Sequence, residues 1–483
     1  MHPSLVRSAR NAVPVHLVTA KAAKAFLAAD RNRAALAAAG FAGRDGELMP
    51  LLAGAKVAGW VLGLGEGNDS FAAATLAEKL PAGVYRLAET KLDATQLTLA
   101  WLLGTYAFTR YKAKKTPAPQ LVVPPGVDGQ EVSRIAQAVF LARDLINTPA
   151  NDMGPAELAA AAKTLAAQHG AKVSVISGAA LKKNFPLIEA VGRGSSRPPC
   201  LIDLRWGHPK APRVTLVGKG VCFDTGGLDI KSSAGMLTMK KDMGGAAVAL
   251  AVAALVMGAK LKLNLRVLIP AVENSVSGDA FRPGDVFKSR KGLTVEIGNT
   301  DAEGRLILAD ALALADEETP ELLLDIATLT GAARVATGME LPPFFTNDEA
   351  LAADLSRHAL SVHDPLWRLP LWQGYAFSLG SRVADLTNNP AYSYAGAITA
   401  ALFLGRFVTQ TRGWGHLDIP AWNDRVRPGR PIGAEANSAR AIYALLQERY
   451  GPPPVREAHK GVGDRRTQTA KRASRAKAGG GAK

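Results

Sequence analysis

From about residue 150 onward, short apolar runs alternate with longer helical ones, and this order leaves few folds open. The runs at residues 172–176, 201–205, 214–217, 265–269 and 322–326 are short, aliphatic and bounded by turn residues, and read as strands. Residues 156–169, 245–258 and 305–318 read as helices. Strand and helix in alternation predict an α/β domain with a mostly parallel sheet covered by helices on both faces. In such sheets ligands collect beyond the carboxyl ends of the strands. Asp224 and the stretch Asp325, Ile326, Ala327, Thr328 stand at ends of this kind.

A chain of 483 residues exceeds one ordinary core, so two domains are expected. Residues 1–115 alternate apolar strands with Ala-rich stretches, including 92–111, and form the smaller N-terminal domain. Residues 116–150 read as a proline-containing linker followed by a helix over 129–147. Residues 151–454 form the larger α/β domain, and 455–483 a basic tail. Gly63, Gly65 and Gly67 follow a strand-like run, but Asn68 breaks the dinucleotide-binding spacing, so a plain strand turn is expected.

Two polar clusters interrupt the apolar pattern of the larger domain. The first holds Lys219, Asp224, Lys231 and Asp242; the second holds Asp301, Glu303 and Arg305, with Gly304 between the last two. Carboxylates set among apolar runs are costly to bury unless paired or bound to metal. Four of them balance two divalent cations, which points to a two-metal hydrolytic centre. The eight histidines form no HExxH or close pair, so any metal rests mainly on oxygen ligands. In an extended segment Asp301 and Glu303 face one way, and Gly304 lets the backbone turn before the following helix.

These segments also carry a family resemblance. Asn299-Thr300-Asp301-Ala302-Glu303-Gly304-Arg305-Leu306 resembles the signature octapeptide of the leucyl (cytosol) aminopeptidases, a family of metallopeptidases. Val217 to Gly227, Met239 to Ala247 and Asp325 to Ala332 continue the match in order, over about residues 140 to 440. The resemblance implies a macro-domain-like N-terminal domain and a catalytic domain that removes N-terminal residues from short peptides. It assigns Asp224, Asp301 and Glu303 to one metal, and Lys219, Asp224, Asp242 and Glu303 to a second. Lys219 must then bind as a neutral amine, because an ammonium has no lone pair.

The same resemblance gives Lys231 the oxyanion and Arg305 a bicarbonate that works as general base. Met239, Thr328, Leu329 and Gly331 would line the substrate cleft. It further implies two divalent ions per subunit, manganese or zinc, and a homohexamer. The stretch 388–394 departs from the glycine-rich form that often precedes a run such as Ala395 to Ala401.

Other features read as ordinary. His416 is expected to be a packed strand residue. Cys222 lies two residues from Asp224, so an unbroken strand would put both on one face, yet no neighbouring histidine could serve it as a base. Two cysteines form no CxxC pair, which fits a reducing cytoplasm. Residues 1–26 show no signal-peptide pattern, and the apolar run 244–259 reads as a buried helix, so no membrane is expected. Of the net charge of +16, residues 459–483 supply +7. Nucleic acid could be attracted to that tail through its phosphates, but a solvated, disordered segment is the expected state.

Overall fold

The computed structural model describes residues 1–29, 33–67, 71–113 and 117–452. The basic tail expected over 455–483 lies outside the described residues. Met1–Gly451 forms one compact unit.

The N-terminal part builds a six-stranded sheet from Leu5–Val6 (β1), Val13–Val18 (β2), Leu48–Ala53 (β3), Lys56–Gly63 (β4), Val84–Leu87 (β5) and Gln120–Val122 (β6), in the order β1-β6-β5-β2-β4-β3. Every pairing is parallel except the β3–β4 hairpin. The segment expected to be a linker from residue 116 therefore contributes a strand. β6 lies between β1 and β5, and the flanking Pro119 and Pro124 fall outside the paired residues, where their missing N–H groups interrupt no ladder. The helix Gly129–Asn147 follows with the expected bounds, capped by Asp128, whose side chain accepts from the Gln130 and Glu131 amides.

The larger sheet is built from Lys172–Ser177 (β7), Cys200–Gly207 (β8), Arg213–Gly218 (β9), Gly220–Asp224 (β10) and Asn264–Asn274 (β11). Val286–Lys288 (β12) and Thr294–Glu296 (β13) form a small side sheet with the later Leu386–Thr387 (β17). Leu322–Ala327 (β14), Pro343–Phe345 (β15), Trp367–Arg368 (β16) and Trp414–Asp418 (β18) complete the main sheet. Its order is β16-β15-β18-β14-β9-β11-β8-β7, with β10 on the free side of β11's distal half. The centre, β18-β14-β9-β11, is parallel, while β15, β8 and β7 introduce antiparallel pairings toward the edges. Central strands buried on both faces need apolar side chains at nearly every position, which is why β14 reads Leu-Leu-Leu-Asp-Ile-Ala and is buried throughout.

The helix Gly244–Gly258 crosses behind this centre. Met239–Gly258 is apolar and long enough to cross a membrane, yet 89% of its most apolar 18-residue stretch is buried inside the protein, so it is a core element. Its small residues let it approach the sheet backbone closely. A β-carbon on Gly245 would collide with the Ile326 carbonyl. That approach holds the start of the helix, and the turn Met239–Met243 before it, against the carboxyl ends of β9 and β14.

Candidate metal centre and substrate cavity

Lys219 sits where the chain leaves β9 and enters β10. Its backbone N–H donates to the Ile326 carbonyl and its carbonyl accepts from the Ala246 amide, both at 2.9 Å. Its side chain, 3% exposed, reaches the Thr328 carbonyl at 2.8 Å, Asp242 Oδ2 at 2.7 Å and Glu303 Oε1 at 3.0 Å. Asp224 ends β10. Its Oδ1 accepts from Asn274 Nδ2 and the Gly226 amide, both at 2.9 Å, which aims Oδ2 at Lys231 Nζ, 2.8 Å away. Lys231 also pairs with Asp301.

Asp224, Asp242 and Glu303 are all buried, and each offers an oxygen within 4.8 Å of the other two. Asp301 stands outside this set, with a third of its side chain exposed. The expectation that Asp301 and Glu303 share one face of an extended segment is thus corrected. Residues 299–302 form a turn and Glu303 is already the first residue of the helix Glu303–Asp316, so one carboxylate points inward and the other lies at the rim. Gly304, expected to turn the backbone, lies inside that helix. A β-carbon there would stand 2.6 Å from Lys219 Cε and 2.7 Å from Lys219 Nζ, so the missing side chain makes room for the lysine.

The cluster is electrostatically loaded. Burial, followed by repulsion from Asp224, pushes the Glu303 carboxyl up to about 8. Burial raises Asp242 and Asp301 as well, with Asp224 adding to both. Burial works against the ammonium of Lys219, but Asp242, Glu303 and Asp224 outweigh it and hold its pKa above the ordinary lysine range. Lys231 is raised by the same balance.

Among the described residues Glu303 Oε2 accepts no hydrogen bond, and Asp242 Oδ2 and Glu303 Oε1 lie near Lys219 Nζ without hydrogen-bond alignment. Buried carboxylate oxygens left in this state are suited to a cation. The oxygen-rich donor set fits divalent ions; no histidine among the described residues joins it. A cation at Lys219 additionally requires that its ammonium give up a proton, which a divalent charge favours.

A cavity of about 390 Å³ opens on the cluster. Lys219, Asp224, Lys231, Asp242, Asp301 and Glu303 line it, as do the expected cleft residues Met239, Thr328, Leu329 and Gly331. Thr328 Oγ1 donates to Asp242 Oδ1 at 2.7 Å, and Asp418 accepts from the Leu329 and Thr330 amides, so the loop after β14 is held from both sides. Arg305 is absent from the lining. Its Nη1 donates to the Asn388 carbonyl at 2.8 Å, its buried Nε has no partner among the described residues, and burial lowers its pKa to about 10.

Several residues escaped sequence reading. Asn274 joins the end of β10 to the turn of the octapeptide, donating to Asp224 and to the Thr300 carbonyl. Asn388 holds the same turn from below: its Oδ1 accepts from the Gly298 and Asn299 amides and its Nδ2 donates to the Asn299 and Ala302 carbonyls. After it, Tyr392 stacks on Tyr375. Lys241, Arg334, Ile419 and Pro420 also line the cavity. Nothing local marks them, because each faces the site only through tertiary placement.

His416 is a buried strand residue, as expected. Its Nδ1 lies 2.5 Å from Asp325 Oδ1; burial works against its imidazolium, but Asp325 outweighs this and raises its pKa. Cys222 packs in the core, and a register shift between Val221 and Phe223 breaks the alternation that would have set it beside Asp224.

Residues 140–443 match the family model described as "Cytosol aminopeptidase family, catalytic domain", and residues 13–124 match "M17 aminopeptidase, N-terminal domain". A probable cytosol aminopeptidase of Geobacter sp. (strain M21) is 39% identical over 396 residues, covering 78% of this chain and 79% of its own length. One from Nocardia farcinica is 38% identical over 446 residues, covering 86% and 87%. The crystal structure of the cytosol aminopeptidase from Coxiella burnetii superposes with a TM-score of 0.90 at 45% identity, covering 93% of this chain and all of the other. The bottromycin maturation enzyme BotP, in a complex with Mn, superposes at 0.82 with 33% identity, covering 91% and 100%.

Proposed function

The chain belongs to the cytosol aminopeptidase family, a metal-dependent family of hydrolases, and we propose that it removes N-terminal residues from short peptides with two divalent ions held in the cluster described above. Lys219, Asp224, Asp242 and Glu303 would hold one ion, and Asp224, Asp301 and Glu303 the other. Bound there, such ions supply an activated water and a polarised carbonyl. The observation that carries the reading is the buried trio Asp224, Asp242 and Glu303, in which Asp242 Oδ2 and both Glu303 oxygens have no hydrogen-bond donor among the described residues.

The chain's own groups complete the chemistry. Lys231 brings an ammonium to the carboxylate rim, where it stabilises negative charge developing on the carbonyl oxygen. Arg305 keeps an unpartnered Nε beside the octapeptide, a donor suited to a small anion such as bicarbonate that relays the proton. Met239, Leu329 and Gly331 form a wall for the N-terminal side chain. Manganese is the ion we favour, because oxygen ligands predominate and the related BotP is described in a complex with Mn.

The test is to strip the purified protein with a chelator, reload it with Mn²⁺, Zn²⁺, Co²⁺ or Mg²⁺, and follow ammonia release from leucinamide. Activity should vanish on stripping and return with about two ions per chain. Undiminished hydrolysis by metal-free protein would refute the reading.

A further inference from the structure

Four basic side chains line the cavity, and they divide into two kinds. Lys219 and Lys231 are each held by two carboxylates. Lys241 and Arg334 line the same cavity, and neither has a carboxylate partner within ion-pair distance among the described residues. Lys241 is only 4% exposed. Arg334 lies in the helix Gly331–Thr337 and is half-buried, with its side chain on the cavity wall.

The neighbouring acids are already engaged. Asp418 accepts from Leu329, Thr330 and the Thr330 hydroxyl; Asp242 accepts from Thr328 and pairs with Lys219. A buried ammonium without a fixed counter-ion is costly unless an anion reaches it, and the half-buried Arg334 guanidinium lines the same cavity.

We propose that Lys241 and Arg334 form a carboxylate-recognition patch, so that this enzyme favours substrates presenting a carboxylate to that wall. This rests on the aminopeptidase reading of the cavity. The carboxylate has two sources: an acidic side chain on the N-terminal residue, or the free C-terminus of a dipeptide. Arg334 supplies a planar fork that matches a carboxylate and Lys241 a point charge beside it.

Two substrate pairs separate the sources. Glutamic acid α-amide against glutaminamide differs only in the side-chain carboxylate; Leu-Ala against Leu-Ala-amide differs only at the C-terminus. The specificity constant for the charged member, divided by that for the neutral one, is compared between the full-length enzyme and Lys241→Met, Arg334→Met and Arg334→Lys. One ratio should fall on the order of ten- to a hundredfold in both methionine variants, the range for a hydrogen bond to a charged group. Arg334→Lys should retain part of it. The pair that responds identifies the source.

Ratios that stay the same in all variants would overturn the patch while leaving aminopeptidase activity intact. Failure to hydrolyse any of the four amides and peptides would instead refute the reading of the cavity. In that case calorimetric binding of glutarate decides the patch: saturable binding weakened at least about tenfold in both methionine variants supports it, and no binding by the unmodified protein overturns it.

Discussion

Gly304→Ala tests whether the helix start was shaped around Lys219. The added β-carbon would stand 2.6 Å from Cε and 2.7 Å from Nζ of that lysine, against the roughly 3.5–4.0 Å of an ordinary carbon contact. Lys219 has little room to move away, being 3% exposed and tied to Thr328, Asp242 and Glu303. Two effects on stability oppose each other. Alanine inside a helix is favoured over glycine by about 1 kcal/mol, while overpacking costs about 1–3 kcal/mol. The net loss should therefore be small, about 0–2 kcal/mol.

The functional loss should be larger, because a displacement of about 1 Å in a reacting constellation can cost on the order of a hundredfold. Disturbed support of metal ligands costs about 10–100-fold in affinity. Urea melting, chelator-competition titration with Mn²⁺ and leucinamide kinetics on one preparation would separate these effects. The expected result is a folded protein with a modest shift in midpoint, weakened metal binding and low turnover. Unchanged metal affinity and turnover would refute the argument that Gly304 exists to admit Lys219.

Three further outcomes are expected. Lys231→Met should lower both kcat and kcat/KM by about 10²–10³ with metal content by elemental analysis unchanged; loss of metal would show that Lys231 holds the site together instead. In metal-free protein the folded state keeps the Glu303 proton to about pH 8, against an ordinary value of 4.5, so this group's contribution is full below about pH 4.5 and is lost as the pH rises to about 8. Urea midpoints across that window should fall, and Glu303→Gln should flatten the slope; an equal slope in the variant would contradict the assignment. Arg143 is buried against Glu435, which also feels Arg430 and Arg440. Arg143→Met should therefore cost about 3 kcal/mol, the lower end for a broken buried pair, in denaturant unfolding.

The sequence alone determined the class of fold, because strands buried on both faces and a helix buried all round require apolar runs that are legible without coordinates. The strands around Val214, Leu265 and Leu322 and the helices at Ala156 and Gly245 therefore lie where the pattern puts them. It also brought forward the charged residues of the site, whose roles came from the resemblance of the spaced motifs that carry them. Tertiary structure alone decided how they are used. Only the coordinates separate the inward Glu303 from the rim Asp301, because a turn followed by a helix replaces the extended segment that alternation assumed.

Only they show Gly304 as space for a lysine from 85 positions earlier in the chain. Asn274, Asn388, Lys241 and Arg334 carry no local signature, since an amide or a cation acquires its role from what the fold places opposite it. Periodicity reports which side of an element is buried, and it is blind to the partner on the other side of the contact.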